Sequence, residues 1–403
     1  MRIIIILSTY MFLAIAYFGA CLLRGSSGVV LPTVASHISM TPSAIGLVSG
    51  MFFYGYALVQ PYYGKLCDKR NPVIVISSGL IILSIGLILF ATTSSSIGLC
   101  VARFVMGVGV GPTFCGILVY QARTFSPKTY AKFMGLTIML GHLGGVVGVT
   151  PMGSALDKFG YVLVHYALAL ISVVVAIILF ITNRNNSCTV QHPKDTARES
   201  LLHGFRIIFA SSQLRVIASI WCIAMSLQLT LFGLWGVTWI TSLCKNVSLV
   251  NARFCMSIGG IGVLIGASIA GIYGNTWIKV NKILCKICLA LVCMLLFLIC
   301  SIDFINNYLS IVAFSCLLGI LIGVSNVMCN IMLFRAVGNE LIGTVTGANN
   351  VIIFLIVLFS QWISGFIIEK LSNCFAISAF AIFFGIILIF GIISLAILHK
   401  KNI

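Results

Sequence analysis

The chain has 403 residues, 60% of them hydrophobic and 8% charged, with a mean hydropathy of +1.17 and a formal net charge of +17. No soluble domain of this length could bury so much apolar surface, so most of the chain is expected in lipid. The positive charge does not point to a nucleic-acid partner, because it is distributed by side of the membrane and not gathered into one binding face.

A bilayer core needs about 20 apolar residues per helix. Twelve segments meet that length: 5–33, 43–64, 73–93, 97–122, 131–155, 160–182, 215–242, 254–275, 282–301, 308–335, 342–368 and 375–398. These runs are continuously apolar and do not alternate, which predicts helices and not a barrel. The opening "MRIIIILSTYMFLAIAYFGAC" has some features of a signal peptide. Phe18 sits where such cleavage sites prefer an aliphatic residue, and cleavage would reverse the charge bias, so a first membrane helix is the better reading.

Along the chain, the first span carries Arg24 within "FGACLLRGSSGVVLP". The second carries Tyr56 and Gln60, four apart and so on one helical face that continues to Gly64. The fourth carries Arg103, and His142 interrupts a glycine run in the fifth. After six spans comes the one long polar stretch, 183–206, in which "TARESLLHGFRIIF" could lie as an amphipathic helix on the membrane surface. In the second half Gln228 lies in the seventh span, Asn326 and Asn330 share a face of the tenth, and Asn349 with Asn350 opens the eleventh. Cys285 and Cys288 in "CKIC" have redox-motif spacing, but at a membrane-helix start buried structural cysteine is the expected role. Cys188 and His192 are too few for a zinc site, and no metal or cofactor is expected.

With both termini in the cytoplasm, 18 of the 24 Lys and Arg fall on the cytoplasmic face. Four fall opposite (Lys158, Lys245, Arg253 and Lys370), and Arg24 and Arg103 lie inside helices. This is the positive-inside pattern. The expected organisation is an all-α membrane protein of twelve transmembrane helices: a six-helix bundle over 1–182, a cytoplasmic loop over 183–214 and a second six-helix bundle over 215–403. At an offset of 212 residues, Gly107 falls on Gly319, Gly111 on Gly323, Arg123 on Arg335, Gly135 on Gly347, Gly153 on Gly365, Asp157 on Glu369 and Lys158 on Lys370. An ordered set of rare residues repeating in this way marks two related halves about an axis normal to the membrane.

The same residues carry a family resemblance. "GKLCDKRNP" after the second helix resembles the loop motif of the major facilitator superfamily, with Asn71 in place of its usual second Gly. "RFVMGVGVGPTF" is similar to that family's Arg-x-x-x-Gly motif. "GHLGGVVGVTPMG" resembles its helix 5 glycine seam, though the Gly-Pro pair of antiporters reads Thr150-Pro151. Within the superfamily, Arg24 eight residues before Pro32, "FFYGYALVQPYYGKLCD" and "ARTFSPKTYAKFMG" look most like the organic-anion, anion:cation symporter-type branch. That resemblance implies alternating access by two pseudo-symmetric bundles in a monomer of the cell inner membrane, and small carboxylate or sugar-acid substrates, usually taken with protons. It also implies a cytoplasmic latch made by Gly64, Asp68, Lys69, Arg70 and Arg123, with Gly64 letting the second and eleventh helices approach closely.

An arginine at mid-helix costs about 2.5–3.5 kcal/mol on insertion scales. The chain has seven acids, Asp68, Asp157, Asp195, Glu199, Asp303, Glu340 and Glu369, all in loops or at helix ends. Two intramembrane guanidiniums therefore lack a sequence-evident counterion, and an anionic substrate would supply one. The expected substrate site comprises Arg24, Arg103, Tyr56, Gln60, His142, Gln228, Asn326, Asn330, Asn349 and Asn350. For Arg103, bracing of a neighbouring helix backbone is the alternative role. The acids that anion-transporting relatives carry before the helix 1 arginine and seven after the helix 4 arginine are here Leu23 and Val110. That leaves His142, His165 or Asp68 as titrating groups and raises anion exchange beside proton symport. Efflux of drug-like or siderophore-like compounds is the alternative reading, from the glycine seam and from Phe52, Phe53, Trp235 and Trp239. No constellation suggests an enzyme.

Overall fold

The computed structural model describes residues 2–183, 201–243, 247–277, 308–337, 342–371 and 389. Every element among them is a helix: α1 (Arg2–Gly25), α2 (Ser27–Ile38), α3 (Pro42–Lys69), α4 (Pro72–Thr92), α5 (Ser96–Thr124), α6 (Pro127–Val147), α7 (Thr150–Asn183), α8 (Leu201–Ala210) and α9 (Ser212–Ser226). A π-helix (Leu227–Trp235), α10 (Gly236–Leu243), α11 (Leu249–Trp277), α12 (Tyr308–Val337) and α13 (Ile342–Leu371) complete them. Nine helical stretches among the described residues are long and apolar enough to cross a membrane, and two shorter apolar helices cover Ser27–Ile38 and Lys132–Val147. The expected spans 282–301 and 375–398, and Cys285, Cys288, Cys188 and His192, lie outside the described residues.

Helix starts follow local chemistry. The Asn71 side chain accepts from the Val73 N–H at 3.0 Å with Pro72 at the first helical position, and Ser95 Oγ accepts from the Gly98 N–H at 3.1 Å. Interiors depart from the expected spans at three places. The first span is two helices, because Gly25 and Ser26 are poor helix formers and Ser26 Oγ turns back to the Leu23 carbonyl at 3.1 Å. The fifth span is interrupted near Gly148. Within Thr150–Asn183 two helical pieces meet at a kink at Gly160 (φ 75°, ψ 159°), a backbone conformation open to glycine and strained for other residues, so the fifth and sixth spans divide about where expected. The seventh span holds the nine-residue π-helix, whose looser winding is supported by its neighbour. There the Gln361 amide of α13 donates to the Leu229 carbonyl at 3.0 Å and the Trp235 indole donates to Ser364 Oγ at 2.9 Å.

Contacts divide the chain into two compact units, one of Met1–Ser26, Val30–Met40 and Leu47–Arg198, the other of Ser27–Val29, Thr41–Gly46 and Glu199–Ile403. In the first unit α4 packs on α5 and α7, and α6 packs on α1. The glycine run of α6 explains the second pairing: a Cβ on Gly144 or Gly148 would press on the carbonyls of Phe18 or Leu22, so only bare backbone lets α6 lie against the end of α1. In the second unit α11 packs on α12, and α8 rests on α13 and α9. Two residues matched at the 212-residue offset do equivalent work in their own units. A Cβ on Gly107 would meet the Phe52 carbonyl of α3, and one on Gly319 would meet the Gly259 carbonyl of α11. The outward side chains of α7, including Leu163, Leu170 and Ile181, are large and apolar, as a lipid-facing helix requires.

Gly64 has open space beside it among the described residues, since a Cβ there would meet nothing within 4 Å. Arg253, counted with the opposite-face charges, lies in the first turns of α11 and is buried, 4% exposed.

Candidate functional site

A recess in the first unit is lined by Tyr17, Ala20, Cys21, Arg24, Phe52, Tyr56, Val110 and Thr113. Helical spacing accounts for the grouping. Positions 17, 20, 21 and 24 are one face of α1, Phe52 and Tyr56 are one turn apart on α3, and Val110 and Thr113 are one turn apart on α5. The last turn of α1 thus turns its arginine toward a wall of two phenols and a hydroxyl.

Arg24 Nη2 donates to Cys21 Sγ at 3.1 Å, and the guanidinium lies within hydrogen-bonding reach of Tyr17 and in the electrostatic neighbourhood of Tyr56. Tyr56 is in turn hydrogen-bonded to Gln60 one turn along α3. His142 of α6 also lies in the electrostatic neighbourhood of Arg24. The Thr113 hydroxyl donates to the Val110 carbonyl at 2.7 Å, which leaves its lone pairs toward the recess. The Tyr17 ring is steadied against Phe114, with centroids 5.2 Å apart. No carboxylate among the described residues forms an ion pair with Arg24. The structure therefore gathers Arg24, Tyr56, Gln60 and His142 into one neighbourhood.

Arg103 lies elsewhere. It is 1% exposed and does not line the recess. Its Nη1 reaches the Leu23 carbonyl at 3.5 Å, its guanidinium sits 5.1 Å from the Phe90 ring centroid, and Nε and Nη2 have no hydrogen-bond partner. Phe90 also stacks against His165 with centroids 4.5 Å apart, and His165 donates Nδ1–H to the Tyr161 carbonyl at 2.7 Å. The expectation that Arg103 joins the recess does not match this placement, because the α5 residues on the recess are Val110 and Thr113, about two turns further along.

In the second unit, Asn326 Nδ2 donates to Gln228 Oε1 at 2.8 Å, joining α12 to the π-helix. Asn349 is 0% exposed, and neither its Oδ1 nor its Nδ2 has a hydrogen-bond partner. Asn350 is half-buried and Asn330 is exposed. Trp235 and Trp239 are buried, and of the expected aromatic set Phe52 lines the recess. At the other end of the first unit, Arg123 Nη1 donates to the Arg70 carbonyl at 3.3 Å, tying α5 to the end of α3, where Lys69 and Arg70 are exposed. The Asp68 side chain lies outside the described residues. Tyr17, Cys21 and Thr113 were not singled out from sequence, although counting back three and seven positions from Arg24 along one helix would have reached the first two.

Long apolar helices in two units, with a cationic recess inside one of them, describe a multi-pass membrane transporter. The Major Facilitator Superfamily profile matches residues 13–361, and the chain belongs to that family. It is 30% identical over 138 residues to the probable sulfoacetate transporter SauU of Cupriavidus necator, covering 34% of this chain and 31% of that protein. It is 26% identical over 182 residues to a putative tartrate transporter of Agrobacterium vitis, covering 43% of this chain and 40% of that protein. The chain thus aligns with less than half the length of these curated relatives. Among solved structures, a bacterial homolog of the human lysosomal transporter Spinster superposes with a TM-score of 0.75 at 17% identity, over 99% of this chain and 97% of that one. That likeness establishes the fold.

Proposed function

We propose that this protein carries a small organic anion, of carboxylate or sugar-acid type, across the inner membrane by alternating access, as a secondary active or exchange transporter. In this reading it has twelve helices with both termini cytoplasmic, in bundles bounded as expected from sequence. The observation that carries the reading is the Arg24 guanidinium on the wall of a hydroxyl-lined recess, with no carboxylate among the described residues to neutralise it. A planar guanidinium offers two parallel N–H bonds to a carboxylate, and a fixed cation in lipid needs an anion to offset its desolvation. The named substrates of the sulfoacetate and tartrate relatives are organic dianions, which supports an organic anion as cargo without fixing its number of charges. Lys69, Arg70 and Arg123 act in this reading as a latch at the cytoplasmic end. Efflux of drug-like or siderophore-like compounds has less support, since Trp235 and Trp239, which would have lined an aromatic cavity, are buried core residues.

The test is counterflow in proteoliposomes holding the purified full chain, with labelled lactate and gluconate as probes and cationic dyes as the contrast. Anion counterflow without dye uptake is expected. Dye uptake with no response to any anion overturns the reading. A pH gradient that drives no net uptake while counterflow persists assigns exchange over proton symport.

Arg103 has a different role in this reading, as a brace between α5 and the carbonyl end of α1. A buried guanidinium with two unpartnered nitrogens has a large uncompensated desolvation cost, and an apolar side chain of similar length removes it. Arg103→Met is therefore expected to keep or raise the melting temperature and to leave anion affinity within a few-fold. Thermal denaturation of the detergent-purified protein, with and without anion, checks both. Loss of anion binding in this variant would move Arg103 onto the ligand.

A further inference from the structure

Resting on the anion reading above, we propose that the recess selects substrates with one anionic head on a short neutral or hydroxylated body and discriminates against dianions. Of its eight lining residues, Arg24 is the one that carries a fixed charge. A single carboxylate engages two of the five guanidinium N–H groups, and the Cys21 sulfur already takes another Nη2 contact at 3.1 Å. The remaining polar lining is Tyr17, Tyr56 and Thr113, whose hydroxyls suit the hydroxyl groups of a neutral body. Ala20, Phe52 and Val110 make up the apolar rest.

A second carboxylate would need a second cation, and the described surroundings of the recess do not supply one. The nearest candidate in sequence, Arg103, is withdrawn beneath Phe90 and directed at the Leu23 carbonyl. His142 is the titratable neighbour from α6, Tyr56 the one from α3, and Tyr17 and Cys21 the ones on α1 itself. An ordinary imidazole is uncharged at pH 8, so at that pH Arg24 stands as the single positive group among the described residues that line the recess. An unpaired second charge would enter low-dielectric surroundings uncompensated, which is costly.

The experiment is a thermal-shift titration of the full chain in detergent at pH 8 with pairs that share a carbon skeleton and differ in charge: gluconate against glucarate, and lactate against tartronate. The monoanion of each pair is expected to half-saturate at a concentration at least tenfold lower, with the response abolished in Arg24→Gln and weakened in Arg24→Lys. Dianions binding as well as or better than their monoanion partners, still dependent on Arg24, would overturn the single-charge inference while leaving the anion reading in place. Responses that survive both Arg24 variants, or an absence of any anion response, would overturn the anion reading and this inference together.

Discussion

Arg24→Gln is expected to weaken anion binding by roughly thirty- to several-thousand-fold while leaving the unliganded protein folded. Truncating one partner of a buried, hydrogen-bonded charge pair costs about 2–5 kcal/mol, and every 1.4 kcal/mol is tenfold in affinity. The loss falls on the complex and not on the fold, because Arg24 has no protein carboxylate to leave stranded among the described residues. Glutamine also lacks the insertion penalty of a charge in lipid, so the melting temperature without anion should hold or rise. Arg24→Lys keeps the charge and loses the two-bond geometry, so it should fall between wild type and Arg24→Gln. The measurement is the anion-dependent thermal shift of the three proteins, with counterflow at a saturating anion concentration. Equal shifts in all three would remove Arg24 from the site.

Val110→Glu should make anion affinity strongly pH-dependent. Val110 is on the recess wall with Arg24, so a carboxylate placed there becomes the internal partner that the guanidinium lacks. An ionised carboxylate competes with the substrate for the same N–H groups, and anion binding must release it. Release is easiest when the carboxylate takes up a proton, so one proton is bound with each anion. Affinity is then low at high pH and gains up to about tenfold per pH unit of acidification relative to wild type, the slope set by one linked proton. Val110→Gln has the same bulk without the charge and should show the loss from crowding alone, with no added slope. Isothermal titrations at pH 5.5, 6.5 and 7.5 separate the two. A flat profile in Val110→Glu would place residue 110 out of reach of Arg24.

Most of the helices were legible because lipid imposes a length and a composition that few other environments demand. Each of the ten expected spans that fall on described residues is met by helix. The interior irregularities were less legible. The break at Ser26 and the bend at Gly160 fall where small residues permit them, but small residues in membrane helices serve close packing as often, and here Gly144 does so with no break in α6. The π-helix has no local signal at all, since the groups that support it, Gln361 and Ser364, are more than a hundred residues away. The site was legible in part for an electrostatic reason: a charge in lipid is conspicuous wherever it occurs. Arg24 and Arg103 look equally anomalous in sequence, and only their heights along α1 and α5 separate one on a recess from one under Phe90 about two turns away. Tyr17 and Cys21 were passed over because a phenol or thiol in an apolar run attracts no notice until a neighbour gives it a use.

The wide winding of Leu227–Trp235 has a mechanical consequence. Each hydrogen bond there spans one residue more than in the α-helical turns on either side, so exchanging one kind of bond for the other turns everything beyond it about the helix axis, as a screw advances in its thread. Gln228 stands at the first turn of that thread and Trp235 at its last, and both are fastened to other helices, Gln228 to Asn326 and Trp235 to Ser364. Torque applied at either end reaches α12 or α13 through those two bonds, without any break in the chain.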